Sequence, residues 1–359
     1  MKLHLFNPEH DLALATNEAH FTAPHAAREL RADLGFIPAL WASDGDLVLV
    51  DDVAAAFNAY RRFKFDRKPE VIFIAKDDLT TDVFSSDAHI EIVPWGWDRA
   101  IAMQLKSMQI PEHLLPSDDA LQHLRRLSHR QTSVALLHAL REQLPQSTVG
   151  ERAECRRMME VHQCIDRWHH VVVKAPWSSS GRGVRYIHSE METNTAGWLN
   201  NMITRQGSIF VEPYFNKVKD FGMEFFSDGN GRIDYWGLSL FKTINGAYAG
   251  SLLATEEEKE TALTGYISKD VIQTVCTRIQ NQMGSLLKGR YAGAFGVDMM
   301  VVAEKDGNGF VLHPCVEINL RRTMGHLALA LSPKESGIPK LMRICYEGTS
   351  YRLRIMPAD

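Results

Sequence analysis

Three stretches of this 359-residue chain carry side chains suited to phosphate and metal chemistry. The first is HVVVKAPWSSSGRG, His170 to Gly183, where three β-branched valines make a strand covered on both faces and Lys174 closes it. A lysine so placed needs an anion for its ammonium. Ser178, Ser179, Ser180, Gly181 and Gly183 follow, with hydroxyls, small side chains and exposed backbone N–H groups that suit close approach to phosphate oxygens. In the second, GAFGVDMMVV (Gly293–Val302) sets Asp298 among apolar residues, and VLHPCVEIN (Val311–Asn319) sets Glu317 and Asn319 two apart, on one strand face. Acids isolated in apolar strands need partners, and these three oxygen-bearing groups form a hard-ligand set for Mg²⁺, with Mn²⁺ able to substitute. Arg321 and Arg322 follow directly, and their guanidinium forks fit phosphoryl oxygens. The third stretch, SIFVEP and beyond, ends in Glu212, Pro213, Tyr214 and Phe215, which can flank a planar base with backbone groups at its edge and rings over its faces.

Further candidates come with an alternative each. Asp220, ahead of the alternating strand Phe221–Ser227, can take the two hydroxyls of a ribose or face solvent. Lys242, at the tip of the strand Arg232–Phe241 and beside an Asn245-Gly246 hairpin turn, is a surface lysine or a second phosphate-binding cation. Asn7-Pro8-Glu9-His10-Asp11 lies just beyond the first strand, where an open α/β sheet binds its ligands. Asn7, Glu9, His10 and Asp11 read there as substrate contacts, one of them a general base, or as a turn capping the next helix.

The elements that position these groups alternate. Strands are expected at Lys2–Phe6, Ile37–Trp41, Leu47–Val50, Val71–Ile74 and Ile90–Val93, with helices at Thr22–Leu34, Val53–Phe63 and Asp98–Met108. That order argues for an open, largely parallel sheet, and the absence of GxGxxG removes a dinucleotide reading. Pro111 to Pro116 reads as a linker; helices follow at Asp118–Leu127 and Gln131–Leu140, and later at Ser268–Leu287, whose apolar residues form one stripe.

Composition narrows the class. With 45% hydrophobic residues the chain can build a sizeable core, and a net charge of −4 without a dense Lys/Arg face gives no reason to expect a nucleic-acid partner. No long apolar run marks a signal peptide or a membrane span, so a cytoplasmic location is expected. The five cysteines are scattered outside any zinc spacing and read as reduced thiols, and the histidines His4, His20, His25, His162, His169 and His170 as ordinary ones.

In series, VVVKAPWSSSGRG, FVEPYF, DFGMEFF, GVDMM and VEINLRRTMG resemble the ATP-grasp superfamily, over about Gln131 to Leu331. The resemblance implies an α/β (α+β) fold: a Rossmann-like pre-ATP-grasp domain over 1–116, then an ATP-grasp domain over 117–359 with lobes at 117–209 and 210–359. By resemblance Lys174 contacts the ATP phosphates, Glu212 to Phe215 hold adenine, Asp220 binds ribose, Asp298, Glu317 and Asn319 bind Mg²⁺, and Arg321, or Arg322 one register on, binds phosphate. Many members carry a further ATP-binding lysine on a helix before the phosphate strand; SHRQTS offers Arg130 at a comparable place. The implied activity is carboxylate–amine ligation through an acylphosphate, on a small-molecule or peptide acid, with a phosphotransferase and a non-catalytic nucleotide-binding protein as alternatives and a homodimer left open.

Overall fold

The short apolar runs near the N-terminus pair in parallel. The computed structural model describes residues 1–63, 68–79, 84, 89–178, 183–244, 246–304, 307 and 309–358. In chain order come β1 (Lys2–Leu5), α1 (His10–Thr16), α2 (His25–Leu34), β2 (Leu47–Leu49), α3 (Val53–Tyr60), β3 (Ile72–Ile74), β4 (Glu91–Pro94) and α4 (Arg99–Ser107). The sheet has the order β3-β2-β1-β4, and β1 pairs in parallel with both β2 and β4. Because Leu5 sits opposite Pro94, the polar run after β1 emerges beside Gly96 and Asp98. The strand expected at Ile37–Trp41 is instead a 3-10 turn over Ile37–Leu40: Pro38 fixes φ and lacks the donor a sheet interior needs.

Two helices, α5 (Asp118–Leu127) and α6 (Arg130–Gln143), lead to a small antiparallel sheet. Its elements are β5 (Ala153–Cys155), α7 (Met158–Trp168), β6 (His170–Lys174), β7 (Val184–His188), α8 (Thr193–Gln206) and β8 (Ile209–Pro213), with strand order β5-β8-β6-β7. A larger antiparallel sheet follows: β9 (Lys217–Asp228), β10 (Ile233–Ile244), β11 (Ala247–Leu253), α9 (Glu256–Thr264), α10 (Lys269–Leu287), β12 (Ala292–Ala303), β13 (Phe310–Asn319), α11 (Met324–Leu331), β14 (Lys340–Glu347) and β15 (Ser350–Pro357). The strand order β13-β12-β9-β10-β11-β14-β15 places the two acid-bearing strands side by side, with Asp298 opposite Glu317.

Alternation explains the layering. Phe221, Met223 and Phe225 on β9 point into a core closed by Leu137 and Leu140 of α6 and Val275, Ile279 and Met283 of α10, while Asp220, Gly222 and Glu224 take the other face. A second core joins distant segments: Phe6, Leu34, Ile37 and Val48 pack with Leu327, Met342 and Leu353, and Asp33 Oδ2 accepts the Tyr351 N–H at 2.7 Å. Among the described residues no helix is long and apolar enough to cross a membrane.

Candidate functional site

The two antiparallel sheets enclose a cavity of about 730 Å³, and most of the chemistry-bearing residues line it. Lys174 reaches it from the end of β6 and Glu212 from the end of β8; the strands pair with Val172 opposite Glu212. Lys174 Nζ donates to Glu212 Oε2 at 2.8 Å, and Arg152 Nε lies 2.5 Å from Glu212 Oε1. The anion that Lys174 meets is therefore a carboxylate of the chain itself. Burial raises a carboxyl pKa, but Arg152 and Lys174 outweigh it and hold Glu212 down at about 2. Burial lowers Lys174 from its usual value against the pull of Glu212. Buried His313 stands beside this group, pushed down to about 3 by desolvation and so neutral.

Glu212 lines the cavity with both oxygens engaged, so any base contact at its edge falls to the backbone and to Pro213, Tyr214 and Phe215, which also line it. Tyr214 stacks on His170 with ring centroids 3.9 Å apart and planes 7° apart. Asp220 lines the cavity too, accepting from Thr243 Oγ1 at 2.6 Å and Lys217 Nζ at 2.5 Å. Ser178 borders the cavity, and Gly183 follows the loop; Ser179, Ser180 and Gly181 lie outside the described residues.

On the floor, Asp298, Glu317, Asn319 and Arg321 converge. Asn319 Nδ2 donates to Asp298 Oδ2 at 3.1 Å, and Arg321 Nη2 donates to Asn319 Oδ1 at 2.9 Å. Arg130, at the start of α6, donates to Glu317 Oε1 at 2.9 Å and to the Ala175 carbonyl at 3.0 Å, tying the helix to both strand ends. Burial, then Glu317 and Glu224, push Asp298 up to about 8. Among the described residues no three His, Cys, Asp or Glu side chains form a metal-holding group. Two carboxylates with one amide oxygen still fit Mg²⁺, which leaves part of its shell to phosphate and water.

Two candidate residues lie away from the cavity. Lys242 is exposed and does not line the cavity, whereas its neighbours Phe241 and Thr243 do, because the strand alternates. Arg322 also turns away: its guanidinium lies 4.7 Å from the Trp41 ring centroid and 5.6 Å from that of Trp236, so it joins the first module to the sheet instead of reaching phosphate.

The Asn7–Asp11 run divides. Asn7 Nδ2 donates to the Gly96 carbonyl at 2.8 Å, and Glu9 pairs with Arg31 at 2.9 Å; neither lines the main cavity. His10 Nδ1 lies 2.9 Å from Asp98 Oδ2. Asp11 accepts Arg321 in a fork, Nε to Oδ2 at 3.0 Å and Nη2 to Oδ2 at 2.7 Å, and keeps Arg321 above its usual value despite burial.

Sequence reasoning missed Glu224, which is 1% exposed and lines the cavity. It accepts Ser239 Oγ at 2.6 Å and Thr323 Oγ1 at 2.8 Å. A Cβ at Gly325 would stand 1.9 Å from its Oε1, so the helix start must be glycine for the carboxyl to fit. Burial pushes Glu224 up to about 7. The signal was present: Glu224 shares the face of Asp220 within an otherwise apolar strand.

No protein-family model matches the sequence, and no curated protein does. Solved structures do. The chain is similar to a biotin carboxylase–β,γ-ATP complex from Campylobacter jejuni, with 12% identity, 96% of this chain and 75% of that one covered, and a TM-score of 0.51. The chain has the ATP-grasp fold. Other structures of that kind are an N5-carboxyaminoimidazole synthetase from Staphylococcus aureus complexed with ADP (15% identity, 96% and 82% covered, TM-score 0.49) and an ATP-grasp superfamily protein from Archaeoglobus fulgidus (13%, 100% and 100%, 0.47). In ATP-grasp terms the cavity lies between the small β5-β8-β6-β7 sheet and the large one.

Proposed function

We propose that this protein is an ATP- and Mg²⁺-dependent ligase that activates a carboxylate as an acylphosphate for attack by an amine. The observation that carries this reading is the convergence of Asp298, Glu317, Asn319 and Arg321 on one cavity with Lys174, in a chain of ATP-grasp fold. A module that only bound nucleotide would have no use for such a charge-poised floor. The biotin carboxylase of this fold was captured with a β,γ-ATP ligand, and the same class of nucleotide is proposed here.

In this reading Tyr214 and Phe215 cover the base, Asp220 takes the ribose, and Lys174 with Arg130 faces the phosphates. Asp298, Glu317 and Asn319 would hold Mg²⁺, which when bound neutralises phosphate charge and orients the transferring phosphoryl group. Arg321, fixed by Asp11 and Asn319, donates to the phosphoryl oxygens as their charge develops. The protein's work is then positioning and electrostatic stabilisation, since the covalent steps run between substrates.

An ATP-turnover screen over pooled carboxylates and amines tests the reading. ADP and inorganic phosphate are expected only when an acid and an amine are both present. A stable phosphorylated product with no amine requirement would show a phosphotransferase instead.

A further inference from the structure

We propose that His10, oriented by Asp98, is the general base for the nucleophile, and that this nucleophile is ammonia or the unbranched end of a primary amine; the inference rests on the ligase reading above. The pair is built with unusual constraint for a helix start. Asp98 Oδ2 lies 2.9 Å from His10 Nδ1 and accepts Asn7 Nδ2 at 3.3 Å, while its Oδ1 accepts the Ile101 N–H at 2.8 Å. The imidazole lies against Gly96, where a Cβ would come within 2.6 Å of its Cγ and Cδ2, so the ring is seated in a space only glycine leaves. A carboxylate can only accept, so Nδ1 carries a proton, and in the neutral imidazole Nε2 then holds the lone pair. Nε2 has no partner among the described residues.

His10 and Asp11 border a second cavity, of about 20 Å³, together with Ser178, Glu317 and Asn319. Glu317 and Asn319 also border the main cleft, so His10 shares its cavity with two residues of the proposed transfer site. A space of this size holds about one water-sized group. A small amino group fits; a branched or secondary amine does not.

The step balances. The nitrogen lone pair attacks the carbonyl carbon of the acylphosphate and a C–N bond forms. The carbon–oxygen bond to phosphate breaks, and phosphate leaves with that electron pair. The N–H proton passes to His10 Nε2, and the imidazolium, stabilised by the Asp98 carboxylate, returns it to solvent.

Hydroxylamine, largely unprotonated at neutral pH, needs no base and separates the two steps. With ATP, Mg²⁺ and the carboxylate pool, wild-type protein should form hydroxamate with hydroxylamine and amide with ammonium chloride. His10→Gln and His10→Asn should lose amide formation by on the order of 100-fold while hydroxylamine-dependent ADP release stays within about 3-fold. Amide formation at the wild-type rate, or equal loss of both reactions in a variant with unchanged melting temperature, would overturn the assignment. Should neither variant fold, Asp98→Asn keeps the helix cap and reverses the tautomer: the same selective loss supports the proposal and parallel loss overturns it. Diethylamine serving as well as ammonium would overturn the nucleophile class. Absence of hydroxamate from wild-type protein with every acid would instead sink the ligase reading itself, and this inference with it.

Discussion

The wall and the floor of the cleft handle buried charge in opposite ways. On the wall, the single carboxylate of Glu212 is shared by two cations, Lys174 and Arg152, which leaves an excess of positive charge. On the floor, Asp298, Glu317 and Glu224 face one another, and the nearest cations are already committed, Arg321 to Asp11 and Arg130 to Glu317. The wall thus holds positive charge in excess and the floor negative charge in excess, and only the wall's carboxylate is shared by two cations of the chain. This difference predicts which substitutions will damage folding and which will damage only function.

Glu212→Ala should have the largest effect on stability. It strands two buried cations, at a cost of about 3–5 kcal/mol by chemical denaturation. A loss below about 1 kcal/mol would mean that Lys174 and Arg152 do not depend on Glu212 for their burial. The wall also sets an acid limit. Glu212 is held at about 2 against a usual 4.5, so its contribution is full above pH 4.5 and disappears as pH falls towards 2.

Glu317→Gln should do the reverse, lowering Mg²⁺-dependent ATP turnover by on the order of 100-fold with the melting temperature almost unchanged. Wild-type turnover in that variant would remove the metal assignment. Asp11→Asn should be milder. Arg321 loses its charged fork, and turnover should fall roughly 10-fold while nucleotide affinity by calorimetry stays within about 2-fold. Equal losses in both would make Asp11 a folding residue.

The smallest effect belongs to Glu224→Gln. Glu224 is raised to about 7 from a usual 4.5, so the unfolded chain ionises first, and the native state loses stability as pH rises from 4.5 to 7. The amide removes that loss. The variant should therefore match wild type at pH 4.5 and exceed it by a degree or a few in melting temperature at pH 8. A variant less stable than wild type at pH 8 would place a charged, stabilising Glu224 on the floor.

How much of this was legible in the chain depends on the range of each interaction. Asp298, Glu317 and Asn319 could be read because period-two alternation fixes a face from local sequence. Glu224 obeyed the same rule and could have been read with them. Lys242 misled because a lysine beside a hairpin gives no sign of which face it takes. The Arg321–Asp11 fork spans 310 positions, and Arg152 reaches Glu212 from a loop without a motif; no local pattern encodes either. Ile37–Leu40 looked like a strand by hydrophobicity alone, and Pro38 was the overlooked contrary signal.

The second core has a bearing on how the molecule comes to be made. Phe6, Leu34 and Val48 leave the ribosome early, yet they are covered in part by Met342 and Leu353, made some 300 residues later. Until β14 and β15 arrive, the first module exposes an apolar face, and its final packing is a late event in synthesis. Stalling or truncation before β14 would leave that face open to chaperones or to aggregation, even with every residue of the proposed ATP site already translated.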